Sequence, residues 1–193
     1  MTAQNSTSTG FLVKSDRNRL HSNTATGGLA NGFDVSGSQN RATRSTATGN
    51  ATAGFSISHG HNRVNLSTAS GNGGAGFDLT GNFNKLTGGT ASANTGDEFT
   101  FIGRASKVDA NTASGHTGNG FAVTITSSLN SLKANNAGAN ALTGITVSGL
   151  SNRIDGSTAQ SDTGFDLEGT NAASNSNRRR SNTYGTKSQA CIK

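Results

Sequence analysis

The chain predicts an all-β fold in which short strands coil into a single parallel solenoid. Three observations predict it. Phe11, Phe33, Phe55, Phe77, Phe99 and Phe121 recur every 22 residues without slippage. The Thr-Ala dipeptide keeps the same period, from Thr2-Ala3, Thr24-Ala25 and Thr46-Ala47 through Thr112-Ala113, and returns at Thr158-Ala159. Gly, Ala, Ser, Thr and Asn make up about two-thirds of the 193 residues, so any core must be built from a few apolar positions that recur in register.

Without that registry the composition would describe a disordered polymer. Only 30% of residues are hydrophobic and 5% aromatic, with no Pro and no Trp, which is too little apolar surface to offset the entropy of ordering. No window approaches the roughly 18–20 consecutive apolar residues that a membrane-spanning helix needs. Helical bundles are excluded because Gly, Asn, Ser and Thr are poor helix formers and no 3.6-residue stripe is present. The single Cys191 excludes a disulfide scaffold.

Each 22-residue unit supplies three short strands. After each Phe, at i+2, comes Val13, Val35, Ile57, Leu79, Phe101 or Val123, and this spacing places both side chains on one face of a strand. The series continues with Ile145 and Val147, then Phe165 and Leu167. A second inward series runs through Leu20, Ala42, Val64, Leu86, Val108, Leu132 and Ile154, and the Ala of Thr-Ala is the third. Stacking about eight such coils at the strand spacing gives a rod roughly 35–40 Å long. The Gly before the Phe (Gly10, Gly32, Gly54, Gly76, Gly120, Gly144, Gly164, with Glu98 as the exception) is expected at a corner that only Gly tolerates. Asn18, Asn40, Asn62, Asn84, Asn130 and Asn152, with Ser106 replacing one, are expected to form a hydrogen-bonded ladder. Asn50, Asn72 and Asn94 form a second column, entered by His116.

On these residues the chain resembles the right-handed parallel β-helix repeat family, which includes pectate-lyase-like enzymes, phage tailspikes and NosD-type proteins. The stretch NTASGHTGNGFAV, Asn111 to Val123, carries the resemblance most clearly. It implies a right-handed coil, in line with the bias of parallel crossovers, and says little about activity, because one coil carries unrelated functions. The β-helix is expected over residues 1–170 and an irregular basic tail or cap over 171–193, containing Arg178, Arg179 and Arg180. The two extra residues near Ile125–Ser128 are expected to form a loop bulge. No secretory leader is expected before Thr2, and the first coil carries no cap, so the chain is expected to be part of a longer secreted, surface-exposed or periplasmic protein. Uncapped ends would permit end-to-end self-association.

Four surfaces are candidates for chemistry. Net charge is +6, and Arg19, Arg41, Arg63, Lys85, Lys107 and Arg153 fall in one outward column, with Ser131 interrupting it. A row of like charges repels itself unless a polyanion relieves it, which points to an anionic polysaccharide. The bland alternative is solvated heads on stems that cover the apolar edge. Nucleic acid is disfavoured, because one Tyr and no Trp leave little for stacking bases. Asp34 and Asp78 share another outward column two rungs apart, about 9–10 Å by strand spacing, the outer limit for an inverting carboxylate pair. Asp166 and Glu168 are expected to face outward together. His59 and His61 offer two imidazoles at a turn, but Phe83 takes the His61 column on the next rung and no third ligand joins.

The fourth surface is the Thr-Ala strand. Thr24 with Thr26, Thr46 with Thr48, Thr68 with Ser70, Thr90 with Ser92 and Thr112 with Ser114 are expected to form outward ranks that resemble those of ice-binding β-solenoids. The reading reached is a non-catalytic structural or carbohydrate-contacting module without a cofactor. A polysaccharide lyase or hydrolase using Asp34 and Asp78 is the alternative, and ice binding the third.

Overall fold

The computed structural model describes residues 1–124, 126–169 and 176–188. Three parallel sheets wrap one narrow apolar interior, each coil donating one strand of two to four residues to a sheet. Among the described residues the Thr sheet has nine strands, from Thr2–Gln4 to Thr183–Tyr184; the Phe sheet has eight, from Phe11–Val13 to Leu167–Gly169; and the basic sheet has eight, from Arg19–His21 to Arg178–Arg180. Every strand pairs with its equivalent one coil later: Phe33 with Phe55, Ala47 with Ala69, Arg41 with Arg63.

Why such short strands persist is visible in the interior. Phe33, Phe55, Phe77, Phe99 and Phe121 are fully buried, and with Phe11 they form one stack whose successive ring centroids lie 4.5–5.1 Å apart with interplanar angles of 8° or less. Val, Ile, Leu and Ala of the other two series close the core around them. Individual strands are too short to stand alone, so stability is shared between neighbouring coils.

Corners are held by side-chain ladders. In the first, each backbone N–H donates to the side chain one coil on: Asn40 to Asn62 Oδ1 at 2.8 Å, Asn62 to Asn84 Oδ1 at 2.8 Å, Asn84 to Ser106 Oγ at 3.1 Å, Ser106 to Asn130 Oδ1 at 2.8 Å. The second runs Asn50 to Asn72 to Asn94. A third column, Asn23 to Ser45 to Ser67 and then, past the gap at Gly89, from Gly89 to Asn111, Asn135, Ser157 and Asn182, was not legible in the repeat because Asn, Ser and Gly are mixed in it.

Several expectations change. The glycine before most of the stacked Phe residues is favoured by space rather than by a left-handed φ: a Cβ on Gly54 would sit 2.8 Å from both the Ala69 methyl and the Gly76 carbonyl oxygen. Late in the chain, Leu167 and not Phe165 pairs with Ile145. The period therefore stays at 22, Phe165 is left 42% exposed, and Asp166, not Gly164, takes the corner position. Asp166 is consequently buried, not outward, while Glu168 does face outward beside Thr146. The repeat also outlasts residue 170. Arg178–Arg180 pairs with Arg153–Asp155 and Thr183–Tyr184 with Thr158–Ala159, so part of the stretch expected to be irregular extends two of the sheets. Cys191 lies outside the described residues, as does Ile125. The expected bulge closes by Ser128, which bridges Arg104 and Leu150.

Candidate polyanion-binding face

On the basic sheet the outward residue is an exposed cation at nearly every rung. Arg19 pairs with Arg41, Arg41 with Arg63, Arg63 with Lys85 and Lys85 with Lys107; Ser131 interrupts the row before Arg153 and Arg178. Parallel pairing fixes the spacing at about 4.8 Å per rung. The sequence produces this geometry because each Arg or Lys from Arg19 to Arg153 follows a ladder Asn or Ser and precedes a buried aliphatic residue, leaving it one direction, outward.

Electrostatically the row is unrelieved along most of its length. Among the described residues Arg19, Arg63, Lys85 and Lys107 make no ion pair and no side-chain hydrogen bond, and Arg41 bonds only the neutral hydroxyl of Thr43, at 3.2 Å. Arg153 differs, because Asp155 on the same strand pairs with it. Open depressions run along this face. One is lined by Arg41, Arg63, Val64, Asn65, Lys85 and Thr87, and its neighbour brings Arg17, Arg19 and His61 to the same cations.

The column on the approach corner carries Arg17, Gln39, His61, Phe83, Ala105, Leu129 and Ser151, all in the left-handed region with φ between 55° and 61°. Arg17 Nε donates to Gln39 Oε1 at 2.8 Å. The next pair is aromatic, with the His61 and Phe83 rings stacked at 5.0 Å and 13°. Sequence reasoning used Phe83 only as an argument against a metal. Its being out of step with the 22-residue Phe series was the available sign that it serves the surface. His59 turns instead to Ser58, whose Oγ lies 3.3 Å from Nδ1. Among the described residues no group of three or more His, Cys, Asp or Glu converges.

Asp34 and Asp78 occupy the outward column of the Phe sheet, separated by Ser56 and followed by Thr100. Burial pushes the Asp78 carboxyl above its usual range, partly opposed by the Thr80 hydroxyl.

The Thr sheet presents its two ranks in register. Thr24, Thr46, Thr68, Thr90 and Thr112 form one, and Thr26, Thr48, Ser70, Ser92 and Ser114 the other, with Ala25 to Ala113 buried between them. The ranks are less open than the sequence suggests. Thr26, Thr48 and Ser70 are each half-buried, as are Thr24, Thr46, Thr68 and Thr112, while Thr90 is exposed. Neighbouring rungs shield these short side chains, and Thr48 and Ser70 share a hydrogen bond between their hydroxyls at 3.3 Å.

The corner where Glu98 replaces the usual glycine has a structural role that the sequence did not forecast. Asn94 should donate to residue 116 in the second ladder, but His116 carries no carbonyl. Glu98 accepts instead, from both the backbone and the side chain of Asn94. Burial, the largest cause, raises Glu98 to about 7 against those favourable hydrogen bonds. His116 is buried, and burial lowers its pKa against the opposing pull of the Asp97 charge. Asp166 repeats the device: its carboxylate accepts from the Asp162 backbone at 3.2 Å and from the backbone and hydroxyl of Thr186, while its own N–H donates to that hydroxyl at 2.9 Å.

Comparison with known proteins agrees with the coil. A periplasmic alginate epimerase, AlgG, superposes with a TM-score of 0.61 at 15% identity, covering 89% of this chain and 44% of that one. The A-module of the mannuronan C-5 epimerase AlgE4 from Azotobacter vinelandii gives 0.51 at 13% identity, covering 84% and 60%. That of AlgE6 gives 0.52 at 15%, covering 87% and 55%. The chain thus spans about half the length of these structures, and the likeness is one of fold. No curated protein sequence matches it. The family described as the right handed beta helix region matches residues 31–183, and with the three parallel sheets in register the chain belongs to the right-handed β-helix family.

Proposed function

We propose that this protein is a non-catalytic carbohydrate-contacting β-helix module whose basic sheet holds an anionic polysaccharide. The observation that carries the reading is the row Arg19, Arg41, Arg63, Lys85 and Lys107, exposed and, among the described residues, without acidic partners. Five cations at about 4.8 Å repel one another, and an extended polymer with one carboxylate per sugar would relieve them at about one sugar per rung. The fold neighbours named for alginate and mannuronan support that polymer class, and the periplasmic setting named for AlgG supports an extracytoplasmic location.

Titration with alginate at two ionic strengths tests the reading. Affinity should fall steeply between about 0.05 and 0.15 M salt, as the screening length shortens toward 8 Å. Binding should be lost when Arg41→Glu and Arg63→Glu are combined. Binding that ignores salt and survives that double reversal would overturn the proposal. A polysaccharide lyase or hydrolase is the second reading, favoured by the raised Asp78 carboxyl in the same column as Asp34. The Thr ranks lie on a separate sheet, so ice binding would leave the basic face free and is tested by thermal hysteresis in Thr46→Tyr and Thr68→Tyr.

A further inference from the structure

We infer that His61 and Phe83 form an aromatic platform that seats a sugar ring of the polymer whose carboxylates Arg63 and Lys85 hold. This assignment rests on the polysaccharide reading above and extends it from a charge row to a subsite.

Phe83 is unfavourably placed for stability alone. It is 51% exposed, and it adopts φ 59°, a conformation that bulky L residues rarely take because Cβ crowds the backbone. The coil does not demand an aromatic there, since Ala105 takes the same conformation one rung on, at φ 56°. Nor does the core use it, because the Phe stack is complete without it. The ring lies parallel to His61, which covers one of its faces, and the other face looks toward the next rung of the column, where Ala105 brings only a methyl group.

The surroundings fit a sugar. Gly60 and Gly81 bring no side chain to the depression beside the rings, and Asn82 and Ser38 supply a polar rim. A single buried ladder residue separates each ring from a cation: Asn62 between His61 and Arg63, Asn84 between Phe83 and Lys85. A pyranose has an apolar C–H face suited to an aromatic ring, and its carboxylate can reach the flanking guanidinium or ammonium in a charge-assisted bond. A polyanion that lacks rings would use the cations and ignore the platform. A single-stranded nucleic acid would want several rings in succession, and this column returns to Ala105 after two.

The test compares alginate with polyglutamate, a carboxylate polymer without sugars, and with single-stranded DNA, on the full chain. Phe83→Ala should weaken alginate binding about tenfold, leave polyglutamate binding and its salt dependence unchanged, and be rescued by Phe83→Tyr. Equal loss for alginate and polyglutamate, or none for alginate, would overturn the platform while leaving the charge row standing. Phe83-dependent binding confined to DNA would overturn the sugar assignment. Failure of the wild-type chain to bind either carboxylate polymer would overturn both readings together.

Discussion

Asn94 donates its backbone N–H, at 3.3 Å, and its side-chain amide to the carboxylate of Glu98, four residues further on. That contact replaces one the ladder cannot make, since His116 stands where the next Asn would accept. It also places an acid at a position that is glycine in most coils, inside the wall, where charge is costly.

The pair therefore predicts opposing pH slopes. Glu98 is raised from 4.5 to about 7. Its contribution is fully present below 4.5 and is lost as pH rises from there through about 7, about 3 kcal/mol at 1.36 per pKa unit. His116 is lowered from 6.5, so its contribution is present above 6.5 and is lost as pH falls. Thermal melts between pH 4 and 9 should show Glu98→Gln removing the loss that develops as pH rises from 4.5 to about 7, and His116→Asn removing the loss that develops as pH falls below 6.5. A Glu98→Gln chain whose slope between pH 4.5 and 7 matches wild type would refute the assignment.

Repairing the ladder should stabilise more than either step alone. His116→Asn supplies the missing acceptor for Asn94, and Glu98→Gly returns the corner to the residue used by its neighbours. The double variant should exceed the sum of the singles by about 1 kcal/mol or more in urea melts. Additive or destabilising behaviour would show that Glu98 is not a substitute acceptor.

In the first ladder, Asn62→Ala leaves the buried Asn40 N–H without its acceptor and should cost about 1–3 kcal/mol. Asn62→Ser should cost less, because Ser106 already accepts from Asn84 in the same column. Equal losses in chemical denaturation would mean that packing, not the acceptor, matters there.

The Phe stack should be most sensitive at its centre. Phe77→Ala, fully buried between Phe55 and Phe99, should lose about 3–5 kcal/mol. Phe11→Ala, half-buried at the first coil, should lose clearly less. Comparable urea midpoints for the two variants would contradict a stack whose interior rings are held on both faces.

On alginate, neither the wild-type chain nor Asp78→Asn should shorten the polymer or release unsaturated ends. Product formed by wild type and abolished in Asp78→Asn would move the protein to the enzymatic reading.

Registry made most of the fold legible. Phe11 to Phe121, the Thr-Ala pairs and the Asn18 column each recur at one spacing, and a period of 22 with i, i+2 apolar pairs leaves a stacked coil as the arrangement that buries them. The cation row was legible for the same reason, since a residue between two inward neighbours must point outward. Where the spacing slipped, the sequence was ambiguous. Phe165 looked like the next ring, but pairing depends on backbone hydrogen bonds rather than on residue type, and those select Leu167. The half-burial of Thr26, Thr48 and Ser70 was hidden for a related reason: alternation gives the direction of a side chain, not how far the next rung covers it.

The burial of Glu98 and Asp166 and the exposed stack of Phe83 on His61 were likewise decided by tertiary contacts. Each depends on what the adjacent coil presents at that corner: an absent acceptor at His116, a hydroxyl at Thr186, a ring at His61. The linear sequence therefore set the repeat, the inward positions and the charged row. The stacking of one coil on the next decided which irregular residues became structural caps and which became surface, because only there do groups 20 to 24 residues apart come within hydrogen-bonding or stacking distance.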